Sequence, residues 1–235
     1  MMICSLKTLA MITGLLSMIV TYGIPVRAVE RTVVNIELVL SLDVSASVDR
    51  LEFELERQGI ALAFRDPEVL AAVDALRPLG VAIALTQWGG PGESRLVIPF
   101  THVESSRDAQ AFGFLVSRSF RAIGATTTSI VTAIEEGVEL LTSNEFDGQR
   151  LVIDISGDGK DNSGLSLEDA QRQARAAGVV VNGLAIEADE SGLAEYYQKS
   201  VISGAEAFVE QANDFEDFAR AIKAKLLREL RPLAM

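Results

Sequence analysis

Asp43, Ser45 and Ser47 stand at alternate positions after the apolar run Leu38-Val39-Leu40-Ser41-Leu42. One carboxylate and two hydroxyls at this spacing, with no Cys or His nearby, make a partial cage of hard oxygen donors for a divalent cation. Two later loops share that character. The stretch Ile123 to Thr128 offers Thr126, Thr127 and Thr128 at an expected helix start. Ser156-Gly157-Asp158-Gly159 offers Asp158 behind the apolar run Leu151 to Ile155. Two carboxylates and three hydroxyls, completed by water, could satisfy a six-coordinate Mg²⁺, with Mn²⁺ or Ca²⁺ as alternatives. So few carboxylates leave such an ion short of neutralisation, and it would attract one acidic ligand from outside. Asp and Ser are also ordinary cap and turn residues, so the first stretch alone leaves a structural role open.

The three loops can act together only if the fold gathers them. Predominantly apolar runs at about 36–42, 81–88, 151–155 and 179–186 read as buried strands of a parallel sheet. A return strand at 95–100 contains Pro99, which cannot donate to a ladder and belongs at an edge. A brief strand is expected near 207–209, and residues 30–35 read as a lead-in. Helices are expected over about 50–64, 68–76, 106–118, 129–141, 167–177, 193–199 and 215–230. Asp49 with Glu52 forms a capping box for the first, and Leu51, Leu55, Leu62 and Ala63 share one of its faces. Alternating strands and helices predict an α/β, doubly wound, mostly parallel sheet with one antiparallel edge strand. In such a sheet, loops at the carboxyl ends of the strands meet in one crevice.

Residues 1–28 are expected to lie outside this domain. Lys7, an apolar stretch from Leu9 to Val20 and the small-residue site Val26-Arg27-Ala28 compose a secretory signal, with cleavage after Ala28. An uncleaved anchor is the alternative reading. The remainder, 29–235, is long enough for one domain with a full core. Cys4, the only cysteine, leaves with the signal, so disulfide and thiolate chemistry are not expected. The formal net charge of −12 becomes −14 once Lys7 and Arg27 are removed. That balance argues against nucleic acid and anionic membrane as partners.

Asp43-x-Ser45-x-Ser47, a Thr on the next helix-initiating loop and an Asp-Gly after a later strand resemble the metal-ion-dependent adhesion site of von Willebrand factor A (vWA) domains. The resemblance runs through the whole of 29–235 and implies their Rossmann-like fold. Val152 to Gly159, Val181 to Leu184, Ala194 to Tyr197 and Lys225 to Glu229 resemble, more narrowly, a family of uncharacterised secreted bacterial proteins of that superfamily. The resemblance implies that Ser45, Ser47 and Thr128 ligate the ion, with Asp43 and Asp158 acting directly or through water. Thr128 is chosen because Thr128-Ser129-Ile130-Val131-Thr132-Ala133-Ile134 matches the family register. Thr126 is an alternative, since Thr126 and Thr127 stand where relatives usually carry Gly-Gly. Helix capping by these threonines is another. The implied partner is a protein presenting an Asp or Glu side chain.

Several residues admit two readings. Asp154, inside an apolar strand, is read as a brace for the site, or else as a buried carboxylate bonded to backbone. Asn162 braces the Asp158 loop or forms a turn, and Lys160 could weaken cation binding next to Asp158. His102, Trp88 and the Tyr196-Tyr197 pair read as structural. Gly157 to Asn162 partly resembles the haloacid-dehalogenase phosphatase pattern. The position of the general acid is Ser45, however, and the final pair is reversed, so leaving-group protonation has no donor. No catalytic set is assigned. A scaffold domain with a vestigial ion site remains the competing reading.

Overall fold

A computed structural model describes residues 30–231. The expected signal, 1–28, and its cleavage site lie outside the described residues. In chain order the elements are β1 (Thr32–Asp43), α1 (Arg50–Ala63), α2 (Pro67–Ala75), β2 (Val81–Trp88), β3 (Ser94–Val103), α3 (Ser106–Arg118), α4 (Ile130–Ser143), β4 (Phe146–Gly157), α5 (Leu167–Ala176), β5 (Val179–Ile186), α6 (Leu193–Ser200), β6 (Val209–Ala212) and α7 (Phe218–Glu229). The sheet order is β3-β2-β1-β4-β5-β6. Every pairing is parallel except the edge hairpin of β2 with β3. This is the doubly wound architecture expected. Strand order reverses between β1 and β4, so the crevice beyond their carboxyl ends is the place for a ligand. Asp43 ends β1 and Gly157 ends β4.

Both faces of the sheet are covered, which is why β1 reads as a continuous apolar run. Ile36, Leu38, Leu40 and Leu42 pack with Phe53, Ile60, Phe112 and Phe218 on one side. Val39 packs with Ile130, Ile134 and Ala170 on the other. The capping box of Asp49 and Glu52 is present, Ser105 and Ser166 cap α3 and α5, and Gly178 turns the chain after α5 at φ 72°.

Several boundaries differ from expectation. The lead-in belongs to β1, where Thr32 pairs with Phe146, and β4 begins there although Asp147 and Gly148 interrupt its apolar run. β6 and α7 both start later than expected. Pro99 falls in a register shift between Thr101 and Ile98, where its missing N–H costs no ladder bond. The face of α1 that carries Leu51 and Leu62 is turned to solvent, at 66% and 58% exposure. Its core face is Phe53, Glu56, Ile60 and Ala63; a buried Glu in that stripe hides the helical period.

Asp154 does not brace the candidate site. It faces α7, where its Oδ1 lies 2.5 Å from Lys225 Nζ, and both residues are almost wholly buried. Lys225 Nζ also sits 4.5 Å from the Phe208 ring centroid, a cation–π contact. Glu229, one turn further along, accepts from Asn182 Nδ2 and pairs with Arg150 at 3.3 Å. Burial, and then the neighbouring Asp154, push the Glu229 carboxyl up to about 8. This cluster fixes α7 against β4 and β5 at a single register. Lys225→Met should cost about 3–5 kcal/mol, because it leaves a buried carboxylate unpaired. Adding Asp154→Leu should recover most of that loss, and urea unfolding of the four proteins of the cycle reads the coupling. Additive losses would show that the pair is not an energetic unit.

Candidate functional site

The structure brings Asp43, Ser45, Ser47, Thr128 and Asp158 together at the carboxyl ends of β1 and β4. Thr128 Oγ1 donates to Ser45 Oγ at 3.2 Å, the Ser45 and Ser47 hydroxyls are 3.2 Å apart, and Ser47 Oγ donates to Asp158 Oδ1 at 2.8 Å. The Ser45 N–H donates to Asp43 Oδ1 at 2.7 Å. Asp43 and Ser45 are buried, Thr128 and Asp158 nearly so, and Ser47 faces out. Thr126 is exposed at the rim and Thr127 is exposed beside it. Neither caps α4: that role belongs to Ser129, whose Oγ accepts from the Thr132 N–H.

Backbone contacts hold the three loops in place. The Arg121 guanidinium, just beyond α3, donates to the carbonyls of Val44, Ser45 and Val48 and so clamps the turn that carries both serines. Asn162 ties the other two loops: its side chain accepts from the Thr128 N–H, and its own N–H donates to the Thr128 carbonyl. Asp161 accepts from the Val131 N–H at the start of α4. Asn162 thus takes the bracing role that is one of its two readings, although no local pattern points to its partner Thr128. Arg121 carries no signal in the sequence, because a lone Arg is commonplace there. Lys160 lines the same cleft as Asp158 and pairs with Glu190 at 2.5 Å. His102 is bonded to the Leu79 carbonyl and Trp88 to the Ser41 carbonyl, both structural as expected.

Electrostatically the site is short of positive charge. Burial pushes the Asp43 carboxyl up to about 7, opposed by the Ser45 N–H and aided by Asp158. Burial also raises Asp158. Glu56, wholly buried on α1 with neither oxygen bonded, is raised well above the carboxylate range by burial and then by Asp43 and Asp158. Asp43 Oδ2 is likewise buried with no partner. A cleft of about 550 Å³ opens over Ser47, Thr128 and Asp158, and Asp161, Asp189 and Glu190 line its rim. Among the described residues, no group of three or more His, Cys, Asp or Glu is placed to hold a metal. Any cation here would depend on the hydroxyls. Their 3.2 Å spacings are near the edge of an octahedron, about 2.9 Å for oxygens 2.0–2.1 Å from Mg²⁺. Together with the orphaned Asp43 oxygen, the donor set fits a hard divalent ion.

The fold is similar to that of solved vWA-type structures. Proximal thread matrix protein 1 from the mussel byssus, solved "with zinc occupied MIDAS motif", is similar over 87% of this chain and 48% of its own, at 15% identity and TM-score 0.60. The pilus adhesin SpaC of Lactobacillus rhamnosus GG, in its open conformation, matches 86% of this chain and 30% of its own, at 14% identity and TM-score 0.56. A von Willebrand factor type A structure from Catenulispora acidiphila matches 83% and 42%, at 16% identity and TM-score 0.54. The chain thus spans less than half the length of these structures. The chain belongs to the family described as "Protein of unknown function (DUF1194)", whose model matches residues 33–234. Comparison with curated proteins finds no match.

A carboxyl whose pKa is higher folded than unfolded favours folding while protonated. That contribution is complete below the unfolded value of 3.8 and is lost as pH rises through about 7. In chelator, stability should therefore fall between about pH 4 and 7, and Asp43→Asn should flatten the profile. Glu56 and Glu229 slope the same way, so the difference between the two proteins' urea midpoints across pH is the readout. Parallel profiles would mean that Asp43 is not strained by its burial.

Proposed function

We propose that this chain is a secreted or periplasmic, metal-dependent protein-binding domain of the adhesion type. Its divalent cation, Mg²⁺ in the first instance, would be held by Asp43, Ser45, Ser47, Thr128 and Asp158. The observation that carries the reading is the buried, unpartnered Asp43 Oδ2 beside a chain of three hydroxyls that run out to Asp158. Once bound, the cation would supply a Lewis-acidic position that accepts a carboxylate from a partner. Ser45 and Thr128 present neutral oxygens, which leave that position electropositive. Arg121 and Asn162 hold these groups ready through backbone bonds, so little ordering remains at binding. Around the cleft Asp161, Asp189 and Glu190 outnumber Lys160, and this net negative rim disfavours an acidic partner at the empty site, which makes recognition depend on the ion.

Secretion is supported by the N-terminal charge and apolar pattern, and by the byssus and pilus origin of two similar structures. No helix among the described residues is long and apolar enough to cross a membrane. The scaffold reading, with an ion site that no longer functions, predicts no response to any cation.

Thermal unfolding in chelator and then in graded Mg²⁺, Mn²⁺ and Ca²⁺ separates the two. A specific site adds about 2.7 kcal/mol at a hundredfold excess over Kd, a rise of about 5–10 °C for a domain of this size. Asp43→Ala and Thr128→Ala should abolish or sharply reduce the rise, whereas Thr126→Ala should keep it. The absence of a rise with all three ions would sink the metal reading.

A further inference from the structure

Tyr197, on α6, is fully buried, and its hydroxyl is without a hydrogen-bond partner. A buried phenol normally finds one, because an unmade bond costs the full desolvation of the group. What lies opposite it is informative. A Cβ placed on Gly157 would sit 2.8 Å from Tyr197 Oη and 2.9 Å from Asp43 Oδ2. The two orphaned oxygens therefore lie no more than 5.7 Å apart beside the bare Cα of the last residue of β4, a span that one water bridges. One is a donor without an acceptor; the other is the carboxylate oxygen that the Ser45 N–H does not reach. The ring is held there by shape, since a Cβ on Gly183 of β5 would come within 2.6 Å of Tyr197 Cδ1. Two glycines on adjacent strands thus clear the space through which α6 addresses β1. Tyr196, its neighbour, is committed elsewhere: its hydroxyl accepts from the Asp161 N–H.

We propose that Tyr197 is a positioning residue for Asp43: its hydroxyl holds Oδ2 through one bridging water while the Ser45 N–H holds Oδ1, and this sets how tightly the site binds a divalent cation. The proposal rests on the metal reading and adds to it a residue outside the three oxygen-rich loops. The carboxylate must be oriented and charged to serve a cation, and a hydrogen bond to its free oxygen favours that form. Gly157 becomes part of the device, because any side chain there would wedge the two groups apart.

The test compares the wild-type protein with Tyr197→Phe, which keeps the ring and removes only the donor. Mn²⁺ affinity is measured by calorimetry, and the Asp43 side-chain carboxyl ¹³C resonance is followed in chelator at pH 8, assigned by its loss in Asp43→Asn. Tyr197→Phe should weaken Mn²⁺ binding about 10-fold or more. It should also shift the Asp43 resonance while leaving the unfolding midpoint in chelator within a few degrees of wild type. Gly157→Ala should weaken binding similarly. A role in packing alone would move the midpoint and neither of the other readouts. Equal Mn²⁺ affinity in wild type and Tyr197→Phe overturns the proposal while the metal reading stands. Should wild type bind no Mn²⁺, the metal reading fails, and with it the affinity claim; the resonance then decides whether the Tyr197–Asp43 contact exists. An unmoved resonance overturns the contact.

Discussion

Everything at the carboxyl edge of this sheet turns on one carboxyl group that has been taken out of water. Asp43 ends the central strand with no exposed surface, one oxygen tied to the Ser45 N–H and the other left without a partner. Leaving a buried polar atom unmatched costs about 1–3 kcal/mol, and more if it is charged. A fold keeps such a group only where the surroundings over-determine its position. They do so here: β1 is flanked by β2 and β4, Arg121 clamps the turn that follows, and the Thr128 loop is bracketed by Asn162. On the proposed reading, a divalent cation engages the hydroxyls and this carboxylate together.

The rest of the architecture serves that edge. Strand order reverses between β1 and β4, so their two following loops must diverge, and the gap between them becomes the cleft. On one face, α7 is pinned by the buried Lys225–Asp154 pair and by Glu229 with Asn182 and Arg150. Such pairs add little net stability, but they penalise any other register of the helix, because a slide would strand buried charges. On the other face, α6 inserts Tyr197 between two glycines. The site is therefore gripped from both layers.

How much of this could be read from the sequence depended on whether the signal was local. Apolar runs disclosed β1, β2, β4 and β5, because strands covered on both faces need no alternation. The Asp43-Ser45-Ser47 triplet, Thr128 and Asp158 were legible because oxygen-rich loops at strand ends are conspicuous beside such runs. Long-range partnerships were not. Asp154 in an apolar strand looks like a brace for the nearest site; its partner is Lys225, 71 positions away, whose burial no local pattern announces. Leu51 and Leu62 suggested the core face of α1, whereas the buried stripe contains Glu56 and the leucines lie outside. The first five residues of β4 were hidden because Asp147 and Gly148 break its apolar run, although β1 pairs with it regardless.

The most direct measurement of the central claim is the anomalous diffraction of crystals grown with Mn²⁺. The account predicts one strong peak within bonding distance of Ser45 Oγ, Ser47 Oγ and Thr128 Oγ1, absent from crystals of Asp43→Ala. A peak confined to the acidic rim at Asp189 and Glu190, or no peak at saturating Mn²⁺, would contradict it.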